Sequence, residues 1–128
     1  MIDFNNKKIF KLTKMQEKKI DSSIMPSIGP LLLDDEKIIN VYTALRDYMV
    51  FTDKRIIAVN VQGLTGSKKD FSSMPYSKIQ VFSIETSGTF DLDSELELNF
   101  SGIGTIKFEF SKDKDVTEIA KTIAKYVL

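Results

Sequence analysis

The hydrophobic pattern between residues 36 and 110 predicts a series of short β-strands. Residues 95–100 and 105–110 alternate strictly between apolar and polar side chains, which is typical of strands with one buried face. Gly102 and Gly104 lie between them and suit a tight hairpin. The apolar faces of this hairpin carry Leu96, Leu98, Phe100, Ile106, Phe108 and Phe110.

Five further apolar segments bring the predicted number of strands to seven. Arg46 and Asp47 separate the first two segments, which implies a minimal hairpin turn. The third, Arg55–Asn60, is an almost continuous apolar run and suits a central strand that is covered on both faces. The five segments are Ile38–Leu45, Tyr48–Phe51, Arg55–Asn60, Ser67–Ser72 and Ile79–Thr86.

The C-terminal segment, Asp115–Leu128, changes to a helical spacing of apolar residues. Asp113 and Asp115 stand where a helix start favours negative charge, and Lys121 and Lys125 lie toward the other end. The pattern predicts a helix that closes one open end or seam of the sheet. Its apolar stripe consists of Val116, Ile119, Ala120, Ile123, Ala124 and Val127.

The N-terminal third predicts an amphipathic helix followed by a connector. Ile9, Leu12 and Met15 recur among lysines within Lys7–Ile24, and the prolines of Met25–Pro30 interrupt regular structure. Such a helix could contact a membrane surface or a partner. We favour the simpler interpretation that it lies on the domain.

Composition excludes several classes of site. The 128 residues contain no cysteine and no histidine, so disulfides, thiolate nucleophiles, imidazole bases and Cys/His zinc sites are absent. The 18 basic residues balance the 18 acidic ones, which argues against a nucleic-acid partner. No run reaches the roughly 18 apolar residues of a membrane span, and the first residues lack a signal peptide's apolar stretch. We therefore expect a soluble cytoplasmic protein.

Two polar clusters are candidates for chemistry, and a structural role explains both better. The turn Thr52–Arg55 can be capped by its own side chains and can pair with nearby acids. The acidic set has no EF-hand spacing, and Glu95 and Glu97 fall on the solvent face of a strand. We expect no catalytic residue, no cofactor and no metal site. The acidic set comprises Glu85, Asp91, Asp93, Glu95 and Glu97.

Residues 50–57, VFTDKRII, resemble the signature of bacterial pleckstrin-homology (PH)-like domains, once catalogued as a domain of unknown function. The resemblance implies a PH-like fold over residues 31–128: a strongly bent, seven-stranded antiparallel sheet, or partly open barrel, capped by the C-terminal helix. Residues 1–30 would form a helical extension. Further segments similar to that family are Gln62–Gly66, Pro75–Ile79 and Glu85–Asp93.

The resemblance also implies frequent ring-like homo-oligomers and no established activity. In membrane-directed PH domains a Lys- and Arg-rich loop captures inositol phosphates, but the equivalent turn here, Arg46-Asp47, is a poor anion trap. Relatives of the fold also accept an extended peptide as an added strand.

The strand Ile79–Thr86 is the predicted self-association face. Ile79 and Val81 fall on one face of it, and Phe82 and Ile84 fall on the other, which is one more apolar face than a barrel wall needs. We therefore predict a non-enzymatic module that forms homo-oligomers and can recruit another protein or peptide. The alternative is a peripheral module that binds anionic membranes through the lysine-bearing N-terminal segment.

Overall fold

One eight-stranded sheet forms the wall of the molecule. The structure is a computed structural model, and it describes residues 1–86, 93–111 and 116–128. The order across the sheet is β5-β4-β3-β2-β1-β8-β7-β6. The strands are β1 (Ile9–Lys14), β2 (Ile38–Ala44), β3 (Asp47–Thr52), β4 (Arg55–Gln62), β5 (Lys68–Pro75), β6 (Ile79–Glu85), β7 (Ser94–Phe100) and β8 (Gly104–Phe110).

The predicted PH-like plan is confirmed with one additional strand. Neighbouring strands are antiparallel except β1 and β8, which run parallel from the pair Ile9–Lys107 to the pair Leu12–Phe110. The sheet is therefore mixed, whereas seven antiparallel strands were predicted. The predicted Ser87–Asp93 loop, except Asp93, and the helix-capping Asp113 and Asp115 lie outside the described residues.

The predicted helix over Lys7–Ile24 is wrong for its first part. Phe10 and Leu12 point into the core and Ile9 and Lys11 point outward, so residues 9–14 follow a strand period of two. Helical structure begins only at Glu17 and continues through the expected connector. It comprises α1 (Glu17–Lys19), a π-helical turn (Ile20–Ile24), α2 (Met25–Ile28) and a 3-10 turn (Gly29–Leu31).

The prolines of that segment do not break it, because each stands in the first turn of a short helix. Pro26 lies near the start of α2, and Pro30 lies near the start of the 3-10 turn. Each proline thus falls where one helical form changes to the next, and the residues beside these junctions, Ile24, Met25 and Ile28, keep a right-handed helical backbone. We call residues 17–31 the N-terminal helical segment.

The sheet has an apolar core on each face. On one face Phe10, Tyr42, Phe51 and Phe108 pack with the helix α3 (Val116–Val127). On the other face the N-terminal helical segment covers β2, β3 and β4. This second core contains Met15, Ile24, Ile28, Val41, Val50, Ile57 and Val59.

Strand β4 is buried on both faces, as its apolar run predicted. Ile56 and Ala58 belong to the core beneath α3, while Ile57 and Val59 belong to the core beneath the N-terminal helical segment. The helix α3 places its predicted stripe in the core as well, because Val116, Ile119 and Ile123 are buried. The stripe's burial supplies most of the stability of this short helix. Among the described residues, no helix is long and apolar enough to cross a membrane.

The β2–β3 turn lies one residue earlier than predicted. Ala44 pairs with Asp47, so Leu45 and Arg46 form the two-residue turn. Leu45 has a φ of 58°, and it is the one non-glycine residue with positive φ in the described part of the chain.

Candidate functional site

The turn of residues 52–55 is the centre of a buried polar network. The Arg55 guanidinium donates to both carboxylate oxygens of Glu36, with its Nε 2.9 Å from Oε2 and its Nη2 2.8 Å from Oε1. The Thr52 hydroxyl donates to Oε2 at 2.7 Å, and the Leu33 N–H donates to Oε1 at 3.1 Å. The Glu36 side chain has no solvent exposure, so these four hydrogen bonds replace its water.

The pKa of Glu36 results from two opposing effects. Burial raises the pKa, since removal from water disfavours the carboxylate. The hydrogen bonds from Arg55, Thr52 and the Leu33 N–H together outweigh burial, and the pKa lies below its ordinary value. Glu36 is therefore a carboxylate at neutral pH and is held in place as an acceptor. A general acid would need the opposite shift.

The same turn connects the sheet to α3. The Tyr76 hydroxyl donates to the Thr52 carbonyl at 2.7 Å, and burial raises the pKa of that phenol. Lys54 lies 3.3 Å from Asp35 and 3.4 Å from the hydroxyl of Tyr126 in α3. Every polar side chain of the turn thus has a structural partner, as predicted for Thr52–Arg55. The sequence did not identify Glu36 as the partner of Arg55, because the two are far apart along the chain.

The predicted association face, residues 79–84, lies on an edge strand. In the described part of the chain β6 pairs with β7 alone and ends the sheet. The register shifts between Ile79 and Val81, so a bulge places Ile79 toward the core together with Phe82 and Ile84. Ile79 is buried, Phe82 and Ile84 are half-buried, and Val81 is 66% exposed on the other face.

The two edges of the sheet differ in chemistry. The opposite edge strand, β5, begins with the exposed Lys68 and Lys69 and ends at Pro75. Lysine and proline are residues that proteins place on edges to block pairing with other chains. Strand β6 has the sequence IQVFSIE, with neither. Its outer edge therefore presents backbone donors and acceptors beside apolar side chains and next to α3.

Among the described residues, members of the acidic set form ion pairs and no metal site. Glu95 and Glu97 flank Lys107 on the outer face of the sheet at 3.5 and 3.4 Å, and these two ion pairs raise the pKa of Lys107. Asp91 lies outside the described residues. Within residues 1–86, 93–111 and 116–128, no group of three or more acidic side chains is placed to hold a metal ion.

One cavity in the described part of the molecule has a volume of about 850 Å³. It lies between the N-terminal helical segment and the start of β2, and its size is that of a small-molecule pocket. Charges of both signs line it, and its buried carboxylate, Glu36, is already bound by Arg55. This arrangement selects no single class of ligand. The charged lining residues are Lys14, Glu17, Asp21, Glu36 and Lys37.

Two uncharacterized proteins of Bacillus subtilis are similar to this chain in sequence. The chain is 42% identical over 105 residues to the uncharacterized protein YjqA of Bacillus subtilis, covering 80% of this chain and 84% of that protein. It is 34% identical over 97 residues to the uncharacterized protein YozO of the same organism, covering 76% of this chain and 83% of that protein.

Two crystal structures from Shewanella agree with the architecture. A DUF1696 family protein with a pleckstrin-homology domain from Shewanella loihica superimposes with a TM-score of 0.70 at 38% identity, covering 93% of this chain and 99% of that chain. A pleckstrin-homology domain from Shewanella amazonensis superimposes with a TM-score of 0.57 at 42% identity, covering 84% of this chain and 87% of that chain. The model of the bacterial PH domain family matches residues 3–127, and this chain belongs to that family.

Proposed function

We propose that this protein is a non-enzymatic interaction module that forms homo-oligomers through the edge strand β6. The carrying observation is the contrast between the two sheet edges. Two lysines and a proline on β5 oppose pairing with another strand, whereas β6 has no such residue. The Val81 side chain on β6 is 66% exposed.

The occupant that we propose for this edge is a second copy of the chain. A strand from another molecule that pairs with β6 would satisfy the outer backbone groups and cover the exposed parts of Phe82 and Ile84. The bulge interrupts the strand only at its start, so residues 81–85 keep a regular register with β7 and can pair on their free side. A peptide or a different protein could pair with the same backbone groups, and the module would then recruit that partner.

The test is light scattering on the full chain at tens of micromolar. We expect a mass above that of one chain, and we expect Val81→Lys to lower it, because a lysine on the free edge opposes strand pairing. Leu33→Lys is the matched control, since Leu33 is 58% exposed and lies away from β6. A wild-type protein that is strictly monomeric at this concentration would contradict self-association.

A further inference from the structure

Strands β1 and β2 separate near the start of β2, and the 850 Å³ cavity lies in the gap between them. They stay together as far as Met15, whose N–H donates to the Val41 carbonyl at 2.9 Å. The chain then turns away into α1. The first three residues of β2, Ile38–Asn40, therefore have β3 on one side and, within the described residues, no strand on the other.

The cavity meets β2 at the edge of the strand. Ile38 packs with the core beneath the N-terminal helical segment, whereas Ile39 packs with the core beneath α3. Both residues line the same cavity, together with Asn40. A cavity that reaches residues on opposite faces of a strand lies beside its backbone, because successive side chains point to opposite faces. The gap is thus a place in the sheet where a length of strand is missing.

The gap has the dimensions of a short extended peptide. If the β1–β2 register were continued past Met15, three extended residues would lie opposite Ile38–Asn40, a span of about 10 Å. The volume of 850 Å³ is within the range of ligand pockets. Apolar side chains of the N-terminal helical segment and the residues after it, Ile20, Met25 and Leu32, form part of the lining.

The open backbone selects a class of ligand that the lining charges alone do not. A strand edge presents N–H and C=O groups at regular intervals, and another extended backbone matches that repeat. Peptide side chains that alternate between two faces would also suit the apolar lining on each side of Ile38–Asn40. The gap therefore favours a peptide over a compact small molecule.

The unpaired charges of the gap favour a peptide with a basic side chain. Glu17 and Asp21 stand four residues apart on the wall formed by the N-terminal helical segment, and both are exposed. Neither has an ion pair among the described residues. On the β2 side Lys37 also lacks one in that part of the chain, whereas Lys14 has an interaction of its own. Two unpaired carboxylates thus face one unpaired ammonium.

A folded second copy of the chain does not suit this gap. Each of its edge strands already has a neighbouring strand on one side. That neighbour would collide with the end of β1 or with the N-terminal helical segment, which flank the gap. A free extended segment has no such neighbour. The occupant is therefore a loose or terminal peptide segment of another protein.

We propose that the gap between the end of β1 and the start of β2 binds an extended peptide segment with a basic side chain. The peptide backbone pairs with the free edge of Ile38–Asn40, antiparallel to β2 and in line with β1. Its basic side chain lies toward Glu17 and Asp21. This site is separate from the proposed association edge, because three strands lie between β2 and β6.

The test is an NMR titration of the isotope-labelled full chain. The probe is the blocked peptide acetyl-Val-Lys-Val-Thr-amide, and acetyl-Val-Glu-Val-Thr-amide is its matched control. We expect the lysine peptide to shift the amide signals of Ile38–Asn40, and we expect the glutamate peptide to bind about tenfold more weakly. Glu17→Gln combined with Asp21→Asn should remove this preference.

Gln16→Trp tests the location. Gln16 is exposed and lines the gap, so an indole there would fill the gap without entering a core. We expect the lysine peptide to bind about tenfold more weakly to this variant. Lys19→Trp is the matched control, since Lys19 is exposed and does not line the gap. Both variants should keep the wild-type urea midpoint, which separates loss of binding from misfolding.

Backbone methylation of the lysine peptide tests the strand pairing. Successive N–H groups of an extended strand point to opposite sides, so methyl groups on one alternate set of nitrogens face β2 and those on the other set face away. We expect one methylated peptide to lose binding and the other to keep it.

The outcome does not depend on self-association through β6. Val81→Lys, which is expected to lower the mass in light scattering, should bind the lysine peptide like the wild type. Three results would overturn the peptide site: no shift of the Ile38–Asn40 signals at millimolar peptide, equal effects of the two methylation patterns, or unchanged binding to Gln16→Trp.

Discussion

Single residues in this protein divide into those that hold the turn of residues 52–55 and those that the fold leaves unsatisfied. Glu36 and Arg55 belong to the first group, since their opposite charges pair and two hydrogen bonds join them. Leu45 belongs to the second. The sequence alone indicates a turn at this point, but not that an apolar residue occupies its left-handed position, because that depends on a register set by the strands on either side.

Removal of the Glu36 carboxylate is predicted to destabilise the fold. Glu36→Gln leaves the Arg55 charge without its partner, and we expect a loss of about 3 kcal/mol in the free energy of unfolding. The lower end of the usual range applies because the Arg55 side chain keeps 21% exposure. Urea denaturation at pH 7 measures the loss. Lys54→Gln is the control, because its pair with the largely exposed Asp35 should contribute no more than about 1 kcal/mol.

The pH dependence provides a second readout of the same carboxylate. Its folded-state pKa lies below the ordinary value of 4.5, so its stabilising effect is complete above about pH 4.5 and is lost as the pH falls through the lower, folded value. Glu36→Gln should therefore lose stability less steeply than the wild type below that pH. Identical slopes for both proteins would contradict this role of Glu36.

Among the elements, those with local patterns were predicted and those with distant partners were not. The hairpin of β7 and β8 and the helix α3 each show a complete period within one short segment. Strand β1 alternates over only a few residues, and the spacing of Ile9, Leu12 and Met15 imitates a helix. Its parallel partner β8 lies near the other end of the chain, so no local signal indicates the pairing.

The candidate association face shows the same limit. Alternation along residues 79–84 predicts apolar side chains on both faces, but the bulge returns Ile79, Phe82 and Ile84 to one face. A bulge arises from the fit between two strands, and the sequence of one strand does not reveal it. Val81 stays largely exposed, and within the described residues β6 has a strand on one side only. Self-association through this edge stays a prediction.

The closing helix should be sensitive to changes on its buried stripe alone. Ile123 is fully buried beneath the sheet, so Ile123→Ala is expected to cost about 3 kcal/mol of unfolding free energy through lost contacts and a cavity. Lys121→Ala, on the exposed face of the same helix, should change stability by less than about 0.5 kcal/mol. Urea denaturation of both variants decides this. Similar losses in the two would contradict the placement of α3 over the core.

At the scale of the whole molecule, the N-terminal third contributes to both cores. Ile2, Phe4, Phe10 and Leu12 lie in the core beneath α3. Met15, Ile24 and Ile28 of the N-terminal third cover the opposite face. The resemblance to a PH-like domain covered residues 31–128 only, so it did not indicate these contacts of the N-terminal third. The apolar residues among the lysines of that third fit a peripheral helix as well as a core strand.

A fragment of residues 31–128 tests the predicted division at residue 30. We expect it to lack a cooperative unfolding transition, because it would lose the strand between β2 and β8 and expose one face of β4. Circular dichroism during a urea titration measures this, with the full chain as the control. A cooperative transition in the fragment would show that residues 31–128 fold by themselves.

The parallel pairing of β1 with β8 has a consequence for how the chain is made. Lys107 is synthesised after its partner Ile9 and after nearly all of the sheet, several seconds later at roughly 5–20 residues per second. Until then Phe10 and Leu12 have no β8 side chains to pack against. Contacts this distant along the chain slow folding and prolong exposure of apolar surface. During synthesis β1 can therefore pair with β2, while its other edge stays unpaired until β8 is available.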